Sequence, residues 1–199
     1  MGYNMLEFID LTDDLKNKLV CGIDEAGRGP LAGPVVACAC IPDFSNIIDG
    51  VNDSKKLSPK KRLHAYKQLI ETSIYYKTVF ISEKIIDKIN ILEATKLAMK
   101  ECLKGINPFP DIVLIDAVSL DIDIPSKSII KGDMKSYAIA CASIIAKVER
   151  DLKMIEYAKI YPEYGFEKHK GYGTKAHVKM LKKYGKCPIH RNTFIKNFV

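Results

Sequence analysis

The sequence predicts an α/β fold, a mixed sheet flanked by helices, with a basic extension at the C-terminal end. Three observations carry that prediction. Two short runs rich in Val, Ile, Ala and Cys flank a Gly- and Pro-rich turn near the N-terminus, strand-like and helix-like segments alternate after residue 73, and the last quarter becomes strongly basic. Strands first, then strand–helix alternation, describe a mixed rather than a purely parallel sheet.

The two opening runs, Lys18 to Asp24 and Val35 to Ile41, are separated by Gly27, Gly29, Pro30, Gly33 and Pro34, so they read as strands joined by a Gly-rich turn. Ser58-Pro59 has the form of a helix start. Ser73 to Ser82 carries the β-branched and aromatic residues of a third strand. Ile85, Ile89, Leu92, Met99 and Leu103 then fall at helical spacing, with Gly105 and Pro108 as the stop. Asp111 to Ala117 is an apolar run short enough for a buried strand, and Ser128 to Lys131 is a further short one. Gly132-Asp133 opens a stretch, Met134 to Tyr161, without Gly or Pro, which predicts one long helix. Its apolar face is Ala138, Cys141, Ala142, Ile145, Val148, Leu152 and Ile155, and the small residues Ala138, Ala142 and Ala146 would let it lie close to a sheet. After Pro162 come a Gly-rich basic stretch, a short helix at Lys175 to Tyr184 and a tail. The expected division is a core over residues 1–162 and an extension over 163–199 packed on it, one domain overall.

At 199 residues, 47% hydrophobic and 28% charged, the chain has the composition of a folded globular protein. Its net charge is +7, and Lys147 to Val199 alone holds thirteen Lys or Arg against five Asp or Glu, leaving a net −1 for everything before it. A concentrated basic segment favours a polyanionic partner, although ribosomal and membrane-surface proteins share that charge. No run approaches 18 apolar residues, and neither a secretory signal nor a basic transit peptide is visible, so no membrane is expected. Six cysteines without a C-x-x-C pair read as reduced core thiols of a cytoplasmic protein.

Four carboxylates, Asp24, Glu25, Asp116 and Asp133, sit where an apolar run ends or a helix begins. Hard divalent ions such as Mg²⁺ take oxygen ligands and keep several waters, so four carboxylates match two ions, and a two-ion site hydrolyses phosphodiesters without a catalytic histidine. Neighbours on a flat strand face opposite ways, so Asp24 and Glu25 reach one site only if the backbone bends there. Each carboxylate has a structural reading as well: a solvated acidic turn for Asp24-Glu25, a polar strand end for Asp116, a helix cap for Asp133. The functional reading requires all four to converge.

Around them lie candidate nucleic-acid contacts. Gly27-Arg28-Gly29 offers unshielded backbone amides beside a guanidinium. Lys55 and Lys56, with Lys60-Lys61-Arg62, form a second basic cluster, a solvated helix face being the alternative. Tyr172, between glycines in a lysine-rich stretch, suits stacking on a base or sugar, or burial as an ordinary loop tyrosine. The four histidines fit no metal-ligand spacing.

Six blocks, GIDEAGRGPLAGPVVACACI, DSKKLSPKKR, LIDA, KGDMKSYAIACASIIAKVERD, YPEYGFEKHKGYGT and CPIHRNTF, together resemble ribonuclease HII, the bacterial type 2 ribonuclease H, in order from about residue 19 to 195. The resemblance implies an RNase H-like fold, a mixed five-stranded sheet with flanking helices and a C-terminal helical extension. It implies cleavage of the RNA strand of RNA–DNA hybrids, and incision 5′ to a single ribonucleotide in duplex DNA, leaving 3′-hydroxyl and 5′-phosphate ends. Asp24, Glu25, Asp116 and Asp133 match the family's carboxylates, which hold two Mn²⁺ or Mg²⁺ ions. Gly27, Arg28 and Gly29 match the loop that reads the 2′-hydroxyl, and Tyr172 the tyrosine that stacks on the junction sugar. Lys55, Lys56, Ser136 and Lys147 fall in matching blocks and serve the substrate backbone or the architecture of the site. The partners implied are RNA–DNA hybrid and ribonucleotide-containing duplex DNA, for a monomer with no partner protein.

Two departures stand out. Ala-Val-Ser-Leu follows Asp116 where members often have a shorter pattern, and Asn192 replaces a common arginine. Neither the N-terminal substrate-binding domain of ribonuclease HIII nor a clamp-binding motif at Ile195 to Val199 is apparent. The competing readings are a non-catalytic nucleic-acid-binding module on the same fold and a basic ribosome-associated protein; only an enzyme's activity would stop with EDTA.

Overall fold

A computed structural model describes residues 8–51 and 57–198. Strands β1 (Val20–Ala26) and β2 (Val35–Ile41) pair antiparallel across the Gly-rich turn. Helix α1 (Pro59–Thr72) starts at Ser58, whose side chain accepts the Lys61 amide, and leads to β3 (Tyr75–Ile81), antiparallel to β2. Helices α2 (Glu83–Ile89) and α3 (Ile91–Leu103) precede β4 (Ile112–Asp116) and β5 (Ser126–Ile129). Strand β4 runs parallel to β1 and β5 parallel to β4, so the sheet is mixed and five-stranded, in the order β3-β2-β1-β4-β5. Beyond it come α4 (Gly132–Lys135), α5 (Tyr137–Ile160), α6 (Phe166–His169), α7 (Lys175–Tyr184) and α8 (Asn192–Ile195).

Strand alternation divides the core between the two faces of the sheet. Cys21 and Ile23 of β1, with Val113 and Ile115 of β4, pack against Ala94, Ala98, Met99 and Cys102 of α3. Val20 and Leu114 point the other way, against Ala138 and Ile139 of α5, and Cys38 and Cys40 meet Ala142, Ile145 and Ala146 on the same side. The small residues of α5 let it approach closely. A Cβ on Gly22 would fall 2.1 Å from the Ala138 carbonyl carbon, so helix and strand touch backbone to backbone there.

Four expectations need correction. The segment after Gly132 is not one helix: it breaks at Ser136, which is extended (φ −129°) and caps α5 by accepting the Ile139 amide at 3.1 Å. Asp133 therefore sits inside the short α4 and caps neither helix. The helical run after residue 85 likewise divides, because Asn90 (φ +66°) turns the chain and accepts the Leu92 and Glu93 amides. Strand β5 begins two residues earlier than expected, at Ser126. Leu152 and Ile155, expected on the buried face of the long helix, are exposed, and Arg150 and Met154 turn inward instead.

The break before α5 is held by a residue distant in sequence. Asp10, fully buried, accepts the Ser136 hydroxyl (2.7 Å) and the Tyr137 and Ala138 amides (3.0 and 2.8 Å). It thus satisfies amides that the start of α5 leaves without an intrahelical partner. The extension packs Tyr164, Phe166, Cys187 and Ile189 against Ala32 and Met154. All six cysteines are buried and free. Among the described residues no helix is long and apolar enough to cross a membrane.

Replacing Asp10 with alanine strands three buried donors and is expected to lower stability by about 2–3 kcal/mol. Urea denaturation measures it; an unchanged midpoint would show that Asp10 is not the clamp on α5.

Candidate active site

The site begins with a mismatch in strand length. Strand β1 pairs with β4 only from Val20↔Ile112 to Ile23↔Ile115, and continues three residues further alongside β2. Asp24 and Asp116 occupy the next position of the parallel register, so two carboxylates stand on adjacent strands, on the face toward α5. Beyond Asp116 the chain turns away at Ala117 (φ +51°), which fixes the carboxylate at the strand end despite the unusual residues that follow. The Gly132 amide donates to Asp116 Oδ1 at 2.7 Å.

Asp24 and Glu25 were expected at a strand end, but both lie within the ladder, opposite Cys38 and Ala37. They face opposite sides of β1, yet both line one cleft of about 350 Å³, because β4 no longer covers the strand there. Asp24 is buried and Glu25 half-buried. Burial pushes the Asp24 carboxyl well above its ordinary range; Glu25 and then Asp116 reinforce the shift, and a hydrogen bond from Ser143 opposes it. Asp133 follows Gly132, buried, and does not line the cleft.

One wall of the cleft is Gly27-Arg28-Gly29, and two buried arginines hold it. Arg191 donates from Nη2 to the Gly27 carbonyl (2.6 Å), from Nη1 to that of Arg28 (2.8 Å) and from Nε to that of Gly33 (3.0 Å). Arg150 donates from Nε to Pro34 (2.9 Å), from Nη2 to Ala32 (3.2 Å) and from Nη1 to Lys170 (3.0 Å). Gly27 has φ +97°, and a Cβ there would lie 2.0 Å from Arg150 Nε, so only glycine fits. Arg28 stays exposed, 3.6 Å from Glu25.

The other wall carries Tyr172, 43% exposed, with Lys147 and Arg150 near its ring at 6.0 and 5.8 Å. Lys147 lines the cleft and pairs with Asp151 at 2.6 Å. Ser136 is fully buried between Asp10 and α5, so of its two expected roles the structure gives it the architectural one. Lys55 and Lys56 lie outside the described residues. Asn192 is bonded to Asp87 and Lys186, away from the cleft.

Sequence reasoning missed Ser143, Arg150 and Arg191, and took Arg62 only as part of a basic run, although it lines the cleft. Ser143 and Arg150 had a detectable signal: each interrupts the apolar helix of residues 137–160. Arg191 had none.

The donor set fits a hard divalent cation. Carboxylate oxygens of Asp24, Glu25 and Asp116 share one cleft; burial first, then repulsion from Glu25 and Asp116, raises Asp24, and a cation would relieve both. Among the described residues no three His, Cys, Asp or Glu stand together as a ready ligand set.

A mixed sheet with a long helix packed across it, and carboxylates at the ends of adjacent parallel strands, define a nuclease of the RNase H-like fold. The crystal structure of the ribonuclease H2 from Pyrococcus horikoshii OT3 has that fold: it matches with a TM-score of 0.74 and 30% identity, over 87% of this chain and 92% of that one. The family model for Ribonuclease HII matches residues 21–197, and ribonuclease HII of Caldicellulosiruptor saccharolyticus is 52% identical over 183 residues, 92% of this chain and 89% of the relative. The chain belongs to the ribonuclease HII family and is a ribonuclease H endonuclease acting on RNA–DNA hybrids. Bst-RNase HIII in complex with Mn²⁺ shares the fold, with a TM-score of 0.63 and 19% identity over 83% of this chain and 62% of that one.

A lysine at position 191 supplies one ammonium where three carbonyls now meet a planar fork. Arg191→Lys is expected to cost about 2–3 kcal/mol of stability. Urea denaturation reads it, and a midpoint equal to the parent's would show that the fork does not hold the loop.

Proposed function

We propose that this protein, besides cleaving RNA–DNA hybrids, incises duplex DNA 5′ to a single embedded ribonucleotide, with Asp24, Glu25, Asp116 and Asp133 holding two Mg²⁺ or Mn²⁺ ions. The observation that carries the reading is the meeting of Asp24, Glu25 and Asp116 in one cleft whose walls are the Gly27–Gly29 loop and Tyr172. The ions, when bound, acidify water and neutralise charge on the scissile phosphate. The chain's own residues do the rest.

Asp24 and Asp116 present oxygens from one face of the sheet and Glu25 from its neighbouring position; Asp133, outside the cleft lining and next to the Gly132 amide that donates to Asp116, is proposed as the fourth ligand. Arg28, Arg62 and Lys147 surround the carboxylates with positive charge for the phosphates on either side of the cleavage point. The Gly27–Gly29 amides and the Tyr172 ring read the ribose. The 2′-hydroxyl is the handle that separates one ribonucleotide from its DNA neighbours. It is recognised and does not act as the nucleophile, since no histidine lines the cleft to serve as general base. The products carry 3′-hydroxyl and 5′-phosphate ends.

The test is a labelled DNA duplex holding one ribonucleotide, incubated with Mg²⁺, Mn²⁺ or EDTA beside an all-DNA control. A metal-dependent nick just 5′ to the ribonucleotide is expected, absent from the control and lowered about a hundred- to a thousand-fold or more in Asp24→Asn. Cleavage of hybrids without that nick would remove single-ribonucleotide incision, and cleavage that survives EDTA would remove the metal mechanism.

A further inference from the structure

Three histidines of the extension, absent from the cleft, pack together behind it. The rings of His169 and His177 stack with centroids 4.5 Å apart, and His177 Nε2 lies 3.0 Å from His190 Nε2. Both His177 and His190 are buried. Two nitrogens facing each other at that distance share one proton, so the direction of the bond is set by what the other ring nitrogens meet.

Here both ends settle it. His177 Nδ1 lies 2.9 Å from the Tyr172 carbonyl, which only accepts, so Nδ1 carries the proton and Nε2 is left to accept. At the far end three groups of Cys187 meet His190 Nδ1, the amide at 2.9 Å, the thiol at 3.1 Å and the carbonyl at 3.3 Å; the amide is the nearest and can only donate, so Nδ1 accepts and His190 carries its proton on Nε2. The two assignments agree. One directional chain runs from the Cys187 amide through His190 and His177 to the Tyr172 carbonyl. It requires both rings neutral, and burial does pull both below their ordinary range, His190 to about 4.

The backbone of His190 belongs to the opposite wall. His190 pairs in a bridge with Ala32, Gly33 donates to the Ile189 carbonyl at 2.8 Å, and the next residue, Arg191, grips Gly27 and Arg28. The chain therefore ties the strip that holds the Gly27–Gly29 loop to the backbone of Tyr172. Across the cleft the two walls nearly touch, since a Cβ on Gly29 would lie 3.9 Å from the Tyr172 ring.

We infer that His177 and His190 are positioning residues that set the spacing between Tyr172 and the Gly27–Gly29 loop, and through it the selection of a ribose. The inference rests on the reading of Tyr172 given under the proposed function. Neither histidine touches substrate; each acts through a tautomer that a hydrogen-bonding substitute either reproduces or does not. An asparagine amide mimics an imidazole Nδ1–H, and a glutamine amide mimics Nε2–H. His177→Asn and His190→Gln therefore keep the donors of the chain, whereas His177→Gln and His190→Asn lose them.

The experiment compares steady-state cleavage of the single-ribonucleotide duplex by these four variants and by Tyr172→Ala. Tyr172→Ala, His177→Gln and His190→Asn are expected to raise KM by on the order of ten- to a hundred-fold with kcat less affected, and His177→Asn and His190→Gln to stay nearer the parent. No difference within either histidine pair, beside a Tyr172→Ala that loses recognition, would overturn the inference alone. A Tyr172→Ala that cleaves normally would overturn the reading of Tyr172 and the inference with it. Should a variant fail to fold, imidazole ¹⁵N NMR of the parent decides: Nδ1–H at His177 with Nε2–H at His190 is expected, and the reverse pair of tautomers would overturn the proposal.

Discussion

The cleft depends on two guanidinium groups taken out of water and satisfied by backbone carbonyls. Arg150 and Arg191 are both fully buried, and six carbonyls, from Gly27, Arg28, Ala32, Gly33, Pro34 and Lys170, receive their protons. A buried charge is tolerated only where its hydrogen bonds are met, so the loop must adopt the path that presents these oxygens. Burial and the neighbouring Arg150 pull Arg191 down to about 9, which leaves it charged at neutral pH. The glycines of the segment follow from the same constraint: a side chain at Gly27 would collide with Arg150. The conformational freedom that glycine provides in the sequence is thus spent on close approach to Arg150.

The carboxylates owe their placement to the sheet rather than to the loop. A parallel partner that stops four residues into β1 leaves Asp24 level with Asp116 and uncovers Glu25 beside them. The helix that lies backbone to backbone on β1 at Gly22 also brings Ser143 to Asp24. These features place acidic oxygens in a cleft rimmed by Arg28, Arg62 and Lys147. Such an arrangement is strained when empty of cations and relieved when charge is supplied.

Much of this was legible before folding. Apolar and β-branched runs located the strands, β2 to the residue, and the small residues of the long helix announced its close packing. Asp24, Glu25 and Asp116 drew notice because each lies at or beside the end of an apolar run, and these three share one cleft. What failed was local: the breaks at Asn90 and Ser136 depend on side-chain caps, and the second is locked by Asp10, more than 120 residues away in sequence. No periodicity reports a partner at that distance. Arg191 was hidden for a related reason, since a charge in a basic tail reads as solvated until tertiary structure surrounds it. Asn192, which stands where an arginine is common, fastens α8 to Asp87 of α2.

The central claim is that the carboxylate cleft is a divalent-cation site, and direct metal binding tests it without reference to turnover. Free Mn²⁺ titrated into the protein can be followed by its EPR signal, with Asp24→Asn and Asp116→Asn alongside. Saturable loss of the free signal in the parent, weakened in each variant at unchanged stability, is the result the account predicts. Equal binding by all three proteins, or none by the parent in the presence of an RNA–DNA hybrid, would contradict it.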